Sequence, residues 1–230
     1  MKLIITRPRK DAEALAMKLK ALGHEPVIVP LLEIIPRQGV AIPQRSYQAI
    51  CLTSANGVVV YPDHISIPVF TVGPQSAEAA QTAGYGAVSH HGGDVEGLVS
   101  FITTTLKPLD GPLLYLSGAT TSGDLEGQLT VHGFYVDRIV TYDAVATEPQ
   151  HLAGVIGHSN GVLLYSPRSA KLWASAVERA NAQSHVRNII HFCLSTNIAK
   201  ALPQSWPTRI AATPDEFALL ATLEQFGEQE

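Results

Sequence analysis

Charge is scarce in this sequence of 230 residues: Asp, Glu, Lys and Arg together make up 16% of it, with a formal net charge of −4. It has no basic stripe and no run of Lys and Arg, which excludes the electrostatic footprint that nucleic-acid binding requires. Long apolar runs are missing too. Stretches such as VIVPLLEII (27–35) are broken by Pro or charge, well short of the roughly 20 residues needed to cross a bilayer. The opening MKLIITRPRKD turns basic and polar after a few apolar residues, so it reads as a first strand and not as a signal peptide, and the expected location is the cytoplasm.

Cysteine is nearly absent as well. Cys51 and Cys193 both lie in apolar strand-like runs, where a thiol most often serves as a small buried hydrophobe. Two such thiols argue for a reducing compartment, with a disulfide the minority reading. No GxGxxG or Walker pattern occurs, which gives nucleotide binding little support. His90 and His91 form a doublet, but neighbours on an extended segment point to opposite sides and no partner stands at zinc-site spacing, so no metal and no cofactor are expected. Paired carboxylates for hydrolysis are lacking. Asp11, Glu13, Asp94, Glu96, Asp215 and Glu216 stand at helix starts, where the helix dipole favours acids, and they read as caps.

What remains is apolar and periodic, with 46% hydrophobic residues. KLIIT reads as a strand and KDAEALAMKLKALG as a helix, with Leu15, Leu19 and Leu22 on one face and Gly23 as its stop. EPVIVPLLEI returns to strand, broken at Pro30, which cannot donate to a sheet. YQAICLTS and VFTVG are further strands, QSAEAAQTAG a short helix stopped by Gly84, and DVEGLVSFITTTL a helix with Leu98, Phe101, Ile102 and Leu106 at helical spacing. Alternating strands and helices point to parallel sheets with helices on their faces.

The second half repeats the first. LLYLSGATTSGDLEGQLTVHGFYVDRIVTYDA runs strand, helix, Gly133 stop, strand, as residues 3 to 35 do; Ser54 is answered by Ser166, and Gly73 by Ser195. A period of about 110 residues is far longer than that of a solenoid, so the chain is a duplicated domain with two similar α/β lobes.

In open α/β sheets the ligand site lies beyond the carboxyl ends of the strands, where turns into helices expose backbone N–H groups. Here those turns are TRPRKD, TSANG, VGPQS, LSGATTSG, YSPRS and LSTN, all small, hydroxyl-rich or glycine-rich. Each taken alone is also an ordinary N-cap. Arg7 and Arg168 each follow a strand at such a turn. A guanidinium there can grip a carboxylate bidentately, or bond structurally to a neighbouring loop.

Read in order, ITRP, LTSANGV, VGPQSA, LYLSG, TYDAVAT and LLYSPRSA resemble the uroporphyrinogen-III synthase family over nearly the whole chain. The resemblance implies an enzyme, a cyclising lyase that closes hydroxymethylbilane to uroporphyrinogen III with inversion of ring D. It implies two flavodoxin-like lobes with parallel sheets, joined by two extended linkers, with the active site in the cleft between lobes. Residues 1–35 plus 146–230 would form one lobe and 46–138 the other, with 36–45 and 139–145 as linkers. The implied binding residues are Arg7, Ser54, Ala55, Asn56, Gly73, Ser76, Ser117, Gly118, Ser166, Arg168, Ser169, Ser195, Thr196 and Asn197, acting mainly through backbone amides. The chain departs from the family where a Gly-Pro-Thr-like run is replaced by Ser195-Thr196-Asn197, which leaves the aim of those donors open. The implied catalytic residue is Tyr142, as a proton donor to the departing hydroxyl, against the alternative of a packed rim aromatic. The expected state is a monomer acting on a small molecule, with a transient contact to the enzyme of the preceding step as the protein partner allowed for. A cytosolic two-lobed binding or sensing relative of the synthase is the alternative.

Overall fold

The computed structural model describes residues 1–59 and 65–227. Strand β1 (Lys2–Ile5) leads through helix α1 (Arg9–Ala21) to β2 (Glu25–Ile28) and β3 (Leu32–Pro36). There follow β4 (Ala49–Leu52), β5 (Val69–Thr71), α2 (Pro74–Thr82), β6 (Val88–His90), α3 (Val95–Thr105), β7 (Leu113–Gly118), α4 (Leu125–Val131) and β8 (Val136–Ala146). The remainder holds α5 (Leu152–Gly157), β9 (Gly161–Leu164), α6 (Pro167–Arg179), α7 (Gln183–Val186), β10 (Ile190–Cys193), α8 (Thr196–Ala199), β11 (Thr208–Ile210) and α9 (Glu216–Gly227). None of the described helices is long and apolar enough to cross a membrane.

Local chemistry accounts for most of these boundaries. In α1 the residues Ala12, Leu15, Ala16 and Leu19 are buried at helical spacing, each large one contributing about 1.5–3 kcal/mol. The helix ends where Gly23 turns left-handed at φ 80° and His24 donates its amide back to the Leu19 carbonyl at 2.9 Å. Leu22, expected on the buried face, lies beyond the last helical residue and is 44% exposed, because the apolar stripe ends with the helix. Leu106 departs in the same way: it stands in extended conformation after α3, whereas Leu98 and Ile102 are buried. Gly133 closes α4 at φ 86° as Gly23 closes α1.

The chain divides into two compact units, one of Met1–Glu33 with Val145–Glu230 and the other of Ile34–Ala144. The first contains a five-stranded sheet in the order β11-β10-β9-β1-β2, with all its pairs parallel. The second contains a six-stranded sheet in the order β3-β8-β7-β4-β5-β6, parallel from β8 through β6. Edge strand β3 runs antiparallel to β8: Arg37 donates its amide to the Thr141 carbonyl, while nearer the start of β3 Leu31 accepts from Thr147, beyond the end of β8. Residues 139–145, expected as a linker, lie within the 11-residue strand β8, along which the chain passes from the second unit to the first between Ala144 and Val145.

Central strands are buried on both faces, as parallel sheets covered by helices require. Alternation sorts their side chains. Ile4, Val162, Leu164 and Cys193 enter one core of the first unit, and Leu3, Ile5, Leu163 and Phe192 the core on the other face. In the second unit Ala49, Cys51, Leu113 and Tyr115 lie on one side, with Ile50, Leu52, Leu114 and Leu116 on the other. Both cysteines are fully buried free thiols, and burial pushes each up to about 12.

By position, β11-β10-β9-β1-β2 matches β6-β5-β4-β7-β8 strand for strand. That is the equivalence the sequence repeat implies, since β1-α1-β2 resembles β7-α4-β8 and β4 to β6 resemble β9 to β11. Edge strand β3 apart, each sheet therefore draws two strands from the opening of one repeat and three from the other. The two repeats have exchanged their opening strand–helix–strand pieces.

Candidate functional site

A doubly wound sheet opens a crevice at its carboxyl edge where the strand order reverses, and ligands bind there. In the first unit the reversal falls between β1 and β9, and in the second between β7 and β4. The candidate residues sort into two sets accordingly. Arg7 follows β1, Ser166, Arg168 and Ser169 follow β9, and Ser195, Thr196 and Asn197 follow the adjacent β10. Ser54, Ala55 and Asn56 follow β4, Ser117 and Gly118 end β7, Gly73 and Ser76 follow the adjacent β5, and Tyr142 lies on β8 beside β7.

The second set is built around a fault in the β7–β8 ladder. Ser117 pairs with Val140 and Gly118 with Tyr142, so Thr141 is an extra residue, a β-bulge. Bulges bend a strand and re-aim a side chain, and they gather next to active sites. Here the bulge lays the Tyr142 ring on the backbone of Gly118. A Cβ at position 118 would stand 2.6 Å from Tyr142 Cζ and 2.9 Å from its hydroxyl oxygen, so a side chain there would displace the ring. Tyr142 is 7% exposed, and its carbonyl accepts the Ala119 amide at 2.9 Å.

Two residues of this set were not legible in the sequence. Thr141 is 3% exposed, and its hydroxyl lies 3.2 Å from the Gly57 carbonyl and 3.3 Å from the Ser117 carbonyl. Arg138 donates from Nε to Ser117 Oγ at 3.0 Å and from Nη2 to the Gly118 carbonyl at 3.1 Å, while Nη1 stands 3.8 Å from Glu126. Its guanidinium lies 6.0 Å over the Tyr115 ring, whose hydroxyl bonds Thr53 at 2.9 Å. Strand alternation puts Arg138 on the face of Val140 and of their partners Tyr115 and Ser117, but only the pairing with β7 brings its guanidinium to Ser117. The bulge that singles out Thr141 arises only from pairing with β7.

In the first set Arg7 is already engaged: Nη1 contacts Glu216 at 3.1 Å, Nη2 contacts Asp11 at 3.2 Å, and the guanidinium lies 4.7 Å over the Tyr165 ring. Asp11 and Glu216 stand in the first turns of α1 and α9, as expected at helix starts, and there accept from Arg7. Asp94 and Asp215 do cap, accepting the amides of Gly97 and Ala218, each at 2.8 Å. Arg168 stands half-buried in the first turn of α6. His91 is held by Ser89 at 2.8 Å and stacks on Phe101.

The turns differ in which amides they have spent. Ser54 accepts the Asn56 amide at 3.2 Å, and Ser166 accepts the Ser169 amide at 3.0 Å, so these serines cap their own helices. Helices α2 and α8 begin at Gly73 and Ser195 with no side-chain cap. The Ser76, Thr196 and Asn197 amides have no hydrogen bond among the described residues. Such uncapped starts are where backbone N–H groups are open to an anionic group.

Comparison with known proteins bears on the family and the fold. A family model described as uroporphyrinogen-III synthase HemD matches residues 13–221. The porphyrin biosynthesis protein HemD of Ruminiclostridium josui is 32% identical over 36% of this chain and 20% of its own length. A protein of Methanocaldococcus jannaschii is 42% identical over 26% of this chain and 25% of its own. The matches thus span about a fifth to a quarter of those curated relatives. Among solved structures, uroporphyrinogen-III synthetase from Helicobacter pylori superposes with TM-score 0.66 at 15% identity, covering 98% of this chain and 100% of that one. A mutant uroporphyrinogen III synthase from the extreme thermophile Thermus thermophilus gives 0.57 at 14% identity, with both chains covered in full. At such identities the likeness is one of fold, whereas the family match covers most of the sequence: the chain belongs to the uroporphyrinogen-III synthase HemD family.

Proposed function

We propose that this protein is a uroporphyrinogen-III synthase, closing hydroxymethylbilane to uroporphyrinogen III with loss of water and inversion of ring D. The observation that carries the reading is the seating of Tyr142 on Gly118 at the switch point of the second sheet, within a sequence matched by the family model. The substrate is a linear tetrapyrrole with many carboxylate arms. A site for it needs many anion-accepting positions and few fixed negative charges. In the second unit the carboxyl edge of the sheet supplies an uncapped helix start at Ser76 and the turn at Ser54, Ala55 and Asn56; in the first unit, taken by itself, it supplies an uncapped start at Thr196 and Asn197 and the turn at Ser166 and Ser169. Arg138 covers the carbonyls of Gly118 and Ala119, which would otherwise face the carboxylates.

The chemistry asks for a proton on the departing hydroxyl. A tyrosine hydroxyl keeps its proton at neutral pH and can give it up within a hydrogen bond, and that is the role proposed for Tyr142. Loss of water leaves an azafulvene, and ring closure follows within the bound chain. The remaining contribution is positional: the turns hold the arms so that ring D closes inverted.

The test is to supply hydroxymethylbilane and resolve the product isomers. Type III accumulating in proportion to enzyme supports the proposal. Type I alone, at the uncatalysed rate, refutes it and leaves binding without turnover.

A further inference from the structure

We propose that Thr141 is the positioning residue for Tyr142: as the extra residue of the β8 bulge, tied by its hydroxyl to the turn after β4 and to the end of β7, it seats the Tyr142 ring on Gly118. This rests on the function proposed above only where activity is the readout.

The inference follows from the ladder. A strand without a bulge would put Thr141 opposite Gly118 and turn Tyr142 to the next position along. The observed register skips Thr141, pairing Val140 with Ser117 and Tyr142 with Gly118. Such an insertion costs ladder bonds and needs something to hold it. The Thr141 hydroxyl does so, its one proton shared between the Gly57 carbonyl at 3.2 Å in the turn after β4 and the Ser117 carbonyl at 3.3 Å at the end of β7, while the Thr141 carbonyl accepts the Arg37 amide at 2.8 Å. It is almost wholly buried, at 3% exposure, so water does not compete for those carbonyls. The consequence is felt one residue on. The Tyr142 carbonyl accepts from Ala119, and the ring lies where any side chain at 118 would collide with it. Thr141 therefore links both turns of the switch point to the Tyr142 phenol, whereas the neighbouring Tyr115 phenol is tied to Thr53. Its side chain points into the protein, so its effect on a substrate passes through Tyr142 and the turns.

The variants that decide this are Thr141→Val, which keeps the branched shape and removes the hydroxyl, and Thr141→Ser, which keeps the hydroxyl. The seating is read without any reaction, by NMR of ring-labelled tyrosine with the Tyr142 signal assigned from Tyr142→Phe. The expected result is that the signal moves in Thr141→Val, moves likewise in Gly118→Ala, and returns toward its original place in Thr141→Ser. A Tyr142 signal unmoved by Thr141→Val overturns the proposal. In the isomer assay kcat of Thr141→Val falls about 10- to 100-fold with KM little changed, Thr141→Ser recovers most of it, and Thr141→Val adds nothing further in a Tyr142→Phe background. Multiplying losses in the double variant overturn a role through Tyr142. Absence of type III product from the unaltered enzyme refutes the proposed function instead, and the NMR result then decides the seating by itself.

Discussion

At the residue scale, two buried side chains carry opposite tasks. Tyr142 holds a hydroxyl at a carboxyl edge, and Tyr142→Phe keeps the ring over Gly118 while removing the donor. If the hydroxyl protonates the leaving group, kcat falls about 100-fold and KM barely changes; an unaltered kcat in a folded variant would leave Tyr142 as a packed aromatic. His191 is structural. It is 0% exposed, sits 2.9 Å by Nδ1 from the Pro207 carbonyl and stacks on Trp206, and burial lowers its pKa from 6.5 to about 4. The neutral ring is thus favoured in the folded state. Above 6.5 its contribution is fully present. As pH falls toward 4 the unfolded chain takes up a proton that the folded chain refuses, and about 3 kcal/mol is lost. Urea unfolding at pH 7 and pH 4.5 measures this, and His191→Asn flattens the difference by most of that amount. An equal slope in the two proteins would show that other groups govern acid stability.

At the scale of elements, the helix starts separate into those that cap themselves and those that do not. Asp94→Ala removes the acceptor of the Gly97 amide at the start of α3, and denaturant titration is expected to show a loss of about 1 kcal/mol. Ser54→Ala removes the bond to the Asn56 amide. Activity there is expected to fall by about 1 kcal/mol, because backbone donors carry the turn and one neutral hydrogen bond is lost; complete inactivation of a folded Ser54→Ala protein would make the side chain itself essential. Most of this level was legible in the sequence. Helical spacing located α1 and α3, Gly23 and Gly133 marked the stops of α1 and α4, and Pro30 marked the break between β2 and β3. These signals act within one turn or one peptide of the residue that carries them. Leu22 and Leu106 were misplaced because periodicity continues past a helix end that only the backbone turn defines. Asp11 and Glu216 do stand in the first turns of α1 and α9, but their contacts with Arg7 were not legible, because Arg7 meets Glu216 only in the folded chain.

At the scale of the whole molecule, the exchange between repeats governs which pieces can fold. A fragment of residues 1–110 holds β1 and β2 of one sheet and β3 to β6 of the other, so it completes neither. A fragment of residues 32–146 holds β3 to β8 entire. Circular dichroism and urea titration are expected to show cooperative unfolding for 32–146 and none for 1–110, the reverse of what two tandem lobes would give. The sequence by itself determined the alternation of strands and helices, the repeat, and the small polar turns at the strand ends, because apolar period and turn chemistry are properties of neighbouring residues. Tertiary structure decided the rest. Strand order, the bulge at Thr141, the seating of the Tyr142 ring against Gly118 and the burial of Thr141 against Gly57 all come from pairing between strands far apart in the chain, and no local pattern encodes which strand lies beside which.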